Sequence, residues 1–339
     1  MRNSLEITVR NLLLCPFDFT DTNNYLENKG MVSPAPSDVT SPTVRVNISS
    51  VVEKDHSSQP TKIKFKRWIT VPYGLNALLL VFVLSLLVLA EYGYIPGSKL
   101  GFICEDPYIS HKFRGEVISP LVLGIGSLLI PIITLLLTEV LSNRTFSRID
   151  YCKVWYFYRE CAIGCVFVLT ITQIAKVLVG EHRPHFFDVC QPDTAKDCVV
   201  GTFIESYTCT NTKYNNYFLV DSSKSFPSGH SSVSWFIGLF SAYIIQTRLP
   251  TSETGRLLKP FLIAVCLTWS LICSLTRISD RRHHWWDVLA GTMLGVVGAV
   301  YTITLVHRKM NTSHIITKDC SSTTTLLDVK NKEATSVII

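Results

Sequence analysis

Six apolar stretches, at about residues 68–90, 117–138, 154–175, 227–247, 260–276 and 288–306, constrain this chain more than any other feature. A helix crossing a bilayer needs roughly 17–25 predominantly apolar residues. Four of the six stretches carry no acidic or basic side chain. The third has Arg159 and Glu160 near its start, where long side chains can reach the interface, and the fourth opens with His230. Pro120 and Pro131 in the second would break a soluble helix, but spanning helices tolerate proline. Charged residues make up 17% of the chain, below the roughly 25% of soluble domains. The sequence therefore predicts an all-α integral membrane protein with six transmembrane helices. The net charge of +6 is spread along the chain, without the basic, aromatic-interleaved stripe of a nucleic-acid binder. The bilayer is the expected partner, nucleic acid is not, and homo-oligomerisation is left open.

Basic residues set the expected orientation. Lys62, Lys64, Lys66 and Arg67 precede the first stretch, and Arg144, Arg148 and Lys153 separate the second from the third. Arg248, Arg256 and Lys259 separate the fourth from the fifth, and Arg308 and Lys309 follow the last. The loop 91–116 is longer yet holds only Lys99, Lys112 and Arg114. The positive-inside rule places both termini in the cytosol. No cleaved signal peptide is indicated. The expected organisation is a disordered N-terminal tail (1–64), a six-helix membrane domain (65–308) and a disordered C-terminal tail (309–339). Sequons at Asn47, Asn143 and Asn311 fall on the expected cytosolic side and should go unused. Of the eleven cysteines, Cys104, Cys190, Cys198 and Cys209 fall on the other side, where disulfides persist. Their three pairings stay open; the remaining cysteines are expected to be thiols. No spacing resembles a zinc site.

Charge gathers at the ends of four stretches. The third ends in "KVLVGEHRPHFFDVC", with Lys176 and Arg183; the fourth begins "KSFPSGHSSVSW", with Ser228, Gly229 and His230. The fifth ends at Thr276-Arg277, and the sixth begins near His283 and Asp287. Counting spans puts all of these on the non-cytosolic face, at the ends of helices 3–6. Lys176, Arg183 and Arg277 supply three cations, and arginine forks suit phosphate oxygens. Pro227-Ser228-Gly229 opens a helix, whose free N–H groups and dipole attract an anion. Asp287 is a single acid beside a histidine, so a phosphate site without metal or cofactor is expected. His283 and Asp287, four apart, share a helix face. A carboxylate that fixes the imidazole tautomer leaves the other nitrogen free to attack. His230, beside the anion site, is placed to protonate a leaving alkoxide and then activate water.

Plainer roles are expected for the neighbours. Arg281 and Arg282 read as loop or interface charges, His182 and His185 as polar loop residues, and Glu181, Asp188 and Asp280 as solvated or rim charges. Trp285 and Trp286 fit an interfacial aromatic belt. His284 is an alternative nucleophile by composition, but helix spacing to Asp287 favours His283.

Three stretches, Lys176-x6-Arg183-Pro184, Pro227-Ser228-Gly229-His230 and Arg277-x5-His283-x3-Asp287, resemble the three signature motifs of the type 2 phosphatidic acid phosphatase superfamily. More narrowly, "RPHFFDVCQP" and "DRRHHWWDVLAG" resemble the animal lipid phosphate phosphatases, including the insect Wunen group. The resemblance covers about residues 65–308. It implies that Lys176, Arg183 and Arg277 hold phosphate, helped by Ser228 and the Gly229 backbone. It further implies that His283 forms a phosphohistidine, that Asp287 orients it, and that His230 is acid and then base. Implied substrates are phosphatidate, lysophosphatidate, sphingosine 1-phosphate and ceramide 1-phosphate, hydrolysed without magnesium at the outer or luminal face, the plasma membrane being the expected location. Thr276 stands where the third motif usually has serine, and residues 181–226 lack the sequon often found in similar enzymes. A silent lipid-binding relative, a transporter, and a sugar-phosphate or polyprenyl-pyrophosphate phosphatase are the competing readings.

Overall fold

The computed structural model describes the backbone of residues 62–143, 149–250 and 255–336, and side chains over 74–142, 149–250 and 255–311. Residues 1–61, most of the expected N-terminal tail, lie outside the described residues, as does Asn47. The chain is mostly helical. Long helices are α1 (Lys62–Glu91), α2 (Pro120–Asn143) and α3 (Tyr151–Val179). Two short helices follow, α4 (Phe186–Cys190) and α5 (Asn216–Asp221), then α6 (Gly229–Arg248), α7 (Leu258–Ser279) and α8 (Trp285–Ser336). Sheet is confined to an antiparallel pair, β1 (Phe102–Ile103) with β2 (Phe203–Ile204). Packing divides the chain into residues 1–82 and 83–339. The described part of the first unit is the early course of α1, with Leu78 and Val81 exposed; the second unit holds all the other elements.

Among the described residues five helices are long and apolar enough to cross a membrane, through Gly74–Glu91, Pro120–Ser142, Tyr151–Val179, Leu258–Ser279 and Trp285–Asn311. The protein is thus a multi-pass membrane protein. The fourth sequence stretch does form a helix, α6, of 20 residues, but is not among those five. Its composition explains why. Ser231, Ser232, Ser234 and Ser241 lower its apolarity, and all four are buried. α6 packs against α2, α3, α7 and α8, so neighbouring helices shelter a face that lipid would not accept. Ser232 Oγ donates to the Gly229 carbonyl at 3.1 Å, and Ser270 Oγ of α7 donates to the Ser234 carbonyl at 2.6 Å. Such satisfaction is what lets hydroxyls sit inside a helix bundle. Phe236, Ile237, Phe240 and Ile244 complete the inward surface of α6, meeting Phe157 and Val168 of α3 and Ala299 of α8.

Local chemistry sets the helix ends. Asp150 caps α3 by accepting from the Lys153 N–H at 3.2 Å. Gly180 ends α3 in the left-handed region at φ 65°, and a Cβ there would meet the Ser98 carbonyl carbon at 2.9 Å; only glycine fits. α8 runs on to Ser336, where the sequence leads one to expect a disordered tail. Extending an anchored helix needs no new nucleus.

Two disulfides, Cys104–Cys198 and Cys190–Cys209, select one of the three open pairings. They brace the loops around an apolar cluster of Phe102, Ile109 and Phe186, with Phe187 and Tyr207 against it. Cys161, Cys165, Cys266 and Cys273 are thiols as expected. Cys152, expected to be a thiol, is instead disulfide-bonded.

Candidate active site

Lys176, Arg183, Gly229, His230, Arg277 and His283 line one cavity of about 250 Å³. Each arrives on a different structural logic. Lys176 is buried in the last turn of α3, and Arg183 follows the Gly180 turn. A Cβ on Gly229 would lie 3.9 Å from Lys176 Nζ, so the lysine reaches the head of α6. Arg277 closes α7, and the link to α8 turns through Arg281 at φ 54°. A non-glycine residue held in that region stores strain, and the turn delivers His283 to Arg183.

His283 is nearly fully buried. Its Nε2 lies 3.2 Å from Arg183 Nη1 on the cavity side. Its Nδ1 lies 3.5 Å from Asp287 Oδ2. Ser225 Oγ donates to the same Oδ2 at 2.5 Å and lies 3.4 Å from His283 Nδ1; the His284 N–H also donates to it, at 2.9 Å. The arrangement favours the proton on Nδ1 and a lone pair on Nε2. Burial, then the Arg183 charge, pulls the His283 pKa down to about 3, so the ring is neutral at ordinary pH and Nε2 can act as a nucleophile. His230 Nε2 is buried without a hydrogen-bond partner among the described residues.

Carboxylates compensate the buried cations. Asp221 accepts from Arg183 at 2.5 Å and from Arg282 at 2.7 Å. Burial alone would raise the Asp221 carboxyl, but Arg183, Arg282 and Lys176 outweigh it and hold it well below the usual range. Glu116 bridges Arg277 at 3.1 Å and Arg282 at 2.7 Å. Arg277 also donates to the Ile118 carbonyl at 2.9 Å and faces Asp280 at 3.4 Å. Glu91, on the same cavity, accepts from Gln173 and Tyr217. Isolated charges could not be buried this way; paired and hydrogen-bonded ones can.

Several plain expectations are corrected here. Arg282 lies in the α7–α8 link but is no solvated charge: it is buried, bonded to Asp221, Glu116 and His185, and its guanidinium sits 5.2 Å over the Phe113 ring. His185 is buried, with Nδ1 2.9 Å from the Arg281 carbonyl oxygen; burial and then Arg282 pull its pKa to about 3. His182 is buried and stacked 3.9 Å from Phe186. Asp280 accepts from the Val117 N–H and Asp188 from the Phe113 N–H, so both tie loops together. Trp285 is exposed, but Trp286 stacks on His284 with ring centroids 4.5 Å apart. Glu181 is part-exposed, as a rim charge is, but also engaged: its Oε1 accepts from Trp286 Nε1 at 2.7 Å and lies 3.7 Å from His284 Nδ1. Burial and then Asp287 raise its pKa. His284, the alternative nucleophile, lines a different cavity from His283. Ser228 caps α6, its Oγ accepting from the Ser231 N–H at 3.4 Å while its own N–H donates to the Asp287 carbonyl at 3.0 Å. Thr276 Oγ1 donates to the Cys273 carbonyl at 3.0 Å, so the extra methyl sits on a hydroxyl already satisfied within α7.

Sequence reasoning missed Glu91, Glu116, Asp221 and Ser225. One signal was available. Buried arginines demand carboxylates, although the connecting segments offer many acids besides these.

The profile of the PAP2 superfamily matches residues 157–311, a stretch that contains all eight expected site residues. A Drosophila melanogaster protein whose name proposes phosphatidate phosphatase activity is 31% identical over 227 residues, 60% of this chain and 60% of its own length. The Caenorhabditis elegans phospholipid phosphatase homolog 1.2 homolog is 32% identical over 226 residues, 61% of this chain and 65% of its own. Rattus norvegicus phospholipid phosphatase 1 is 32% identical over 216 residues, 61% of this chain and 74% of its own. The matches thus span less than two thirds of the fly and worm relatives. No solved structure gives a significant match. With all eight expected site residues inside the matched profile, and the rat relative aligned over most of its length, this chain belongs to the PAP2 superfamily, alongside the phospholipid phosphatases.

Proposed function

We propose that the chain is a magnesium-independent lipid phosphate phosphohydrolase. The observation that carries this reading is the orientation of His283 in the shared cavity, with Nε2 toward Arg183 and Nδ1 toward Asp287. In the proposed reaction, Lys176, Arg183 and Arg277 hold the phosphoryl oxygens, with the N–H groups at the head of α6. His283 Nε2 attacks phosphorus, the bond to the lipid oxygen breaks, and His230 donates a proton to that oxygen, releasing the neutral lipid alcohol. Asp287 stabilises the cation that grows on the His283 ring. His230 then takes a proton from water, whose oxygen attacks the phosphohistidine and frees inorganic phosphate. Opposite protonation demands on two histidines give a bell-shaped pH profile.

Phosphatidate, lysophosphatidate, sphingosine 1-phosphate and ceramide 1-phosphate are the proposed substrates, their removal attenuating lipid signalling. Pro120, Leu123, Leu169 and Val233 on the cavity wall suit an acyl-bearing molecule better than a sugar phosphate. In this reading α6 is a sixth span, both termini are cytosolic, and the site opens on the outer or luminal face of the plasma membrane.

The test is phosphate release by purified protein from a lipid panel, beside glucose 6-phosphate, with chelator present. Parent protein should hydrolyse the lipids, and His283→Ala should abolish release while still expressing. Full activity in that variant, or preference for the sugar phosphate, refutes the assignment.

A further inference from the structure

A second cavity of about 350 Å³ has Phe102, Glu181, His182, His284 and Trp286 in its wall and shares no lining residue with the cavity just described. Asp287 Oδ2 faces one residue of each, His283 Nδ1 at 3.5 Å and His284 Nδ1 at 3.4 Å. Among the described residues, donor atoms of Glu181, His284 and Asp287 all lie within 4.8 Å of one another. His284 Nδ1 is 3.4 Å from Asp287 Oδ2 and 3.7 Å from Glu181 Oε1. Zinc takes nitrogen and oxygen donors at roughly 2.0–2.2 Å in a tetrahedron, which sets donor separations of about 3.3–3.6 Å. The two measured edges are close to those of such a tetrahedron.

A second observation is independent of that spacing. His284 is 9% exposed and Asp287 0%, yet both ring nitrogens of His284 and Oδ1 of Asp287 lack hydrogen-bond partners. Buried polar atoms without partners call for an explanation, and a bound ion supplies one for His284 Nδ1. The surroundings also hold the donors still. Trp286 stacks on the His284 ring at an interplanar angle of 3° and donates its indole N–H to Glu181 Oε1 at 2.7 Å. Ser225 Oγ steadies Asp287 Oδ2 at 2.5 Å. Outer contacts that fix ligand orientation are the mark of a built metal site.

We propose that Glu181, His284 and Asp287 form an inhibitory site for a divalent transition ion, with zinc as its probe. One imidazole and two carboxylates, with a fourth position left to water, match the mixed nitrogen and oxygen donors such ions select. His284 would bind through the lone pair on Nδ1. Occupancy places a dication on Asp287 Oδ2, the atom that faces His283 Nδ1 at 3.5 Å. The carboxylate then no longer stabilises positive charge growing on the His283 ring, and turnover stops. The inhibitory half of the inference rests on the function proposed above; the binding half does not.

The experiment uses full-length protein in detergent, stripped with chelator and titrated with zinc by calorimetry, with bound metal counted by elemental analysis. Parent protein should take up one zinc per chain and lose activity in step, with recovery on adding chelator. Glu181→Gln and His284→Phe should each weaken zinc binding by at least about tenfold, retain basal phosphatase activity, and resist inhibition; phenylalanine keeps the stack on Trp286. His283→Ala should be inactive yet bind zinc like the parent, which separates failure of the site from failure of the phosphatase assignment. Unchanged zinc affinity in both Glu181→Gln and His284→Phe, no zinc bound by the parent, or zinc bound without loss of activity would each overturn the proposal.

Discussion

Gly291 is where helix packing and chemistry meet. It lies on α8 against the head of α6, and an added Cβ would stand 3.2 Å from both the Ser228 carbonyl carbon and Ser231 Cβ. The Ser228 carbonyl oxygen would be nearer still. Carbon atoms in contact settle at about 3.5–4.0 Å, and two of these three neighbours are backbone that cannot swing aside. Gly291→Ala should therefore part the two helix heads by roughly 0.5–1 Å. That gap is the one the reaction spans: His230 lies on α6, Asp287 on α8, and the Ser228 N–H bonds the Asp287 carbonyl between them at 3.0 Å. Overpacking of this kind costs about 1–3 kcal/mol of stability, which a folded protein survives. A misplacement of about 1 Å between catalytic groups can cost on the order of 100-fold in rate. The assay is kcat/KM for phosphatidate in mixed micelles, on protein that elutes as a single species. Gly295→Ala, one turn further along and facing the Ser232 carbonyl and Trp235 Cβ, should cost less activity because it acts farther from the site. Gly74→Ala, with nothing within 4 Å of the new Cβ, should be silent. Gly291→Ala retaining activity within about threefold of parent, under about 0.7 kcal/mol of barrier, would refute the reasoning.

Two other outcomes follow from the buried charges. Asp221→Asn leaves Arg183 and Arg282 without the carboxylate they share, and breaking a buried pair costs about 3–5 kcal/mol; the thermal unfolding midpoint in detergent should fall clearly, and an unmoved midpoint would show that Asp221 is no clamp. His283, with its pKa pulled from 6.5 to about 3 by burial and Arg183, binds fewer protons folded than unfolded between those values, so its contribution to stability falls as pH drops through that window. His283→Gln should then lose less stability than parent protein between pH 7 and pH 4, and equal losses would show that the ring does not resist protonation.

Periodicity and composition made the spanning helices legible, because lipid imposes a length and an apolarity that no loop imitates. They were least able to describe α6. A helix surrounded by other helices answers to its neighbours rather than to lipid, so serines that would disqualify a lipid-facing segment find partners inside the bundle: Ser232 at Gly229 and Thr172, Ser231 at Ser228, and Ser234 at the Ser231 carbonyl. The cations and histidines of the site were legible for the opposite reason: charge beside an apolar run has few explanations. Their partners were not. Glu116 sits in a loop and Asp221 ends the six-residue α5, too short to show a period, and nothing local distinguishes them from solvated acids; only the tertiary fold brings Asp221 onto Arg183, 38 positions away, and Glu116 onto Arg277, 161 positions away. The contacts of Glu181 were hidden for the same reason, since they depend on Trp286 in α8 and His284 just before it.

The carboxylates also bear on how the proposed site could bind a phosphate and release it. A cage made only of Lys176, Arg183, Arg277 and Arg282 would be hard to hold together in a low-dielectric bundle, because unpaired buried charge is strongly destabilising. A cage fully neutralised and fully hydrogen-bonded would have nothing left for a ligand. Asp221 and Glu116 engage these arginines through particular atoms, while Arg277 Nε, Arg282 Nε and His230 Nε2 are buried without partners among the described residues, and all three side chains line the same cavity. Donors in that condition are those a phosphoryl oxygen would satisfy most strongly, since the alternative is a group left unpaired. The same balance limits how tightly free phosphate is held, because much of each guanidinium is already committed. Under the proposed function, the residues that keep the fold intact would thereby also keep the product leaving.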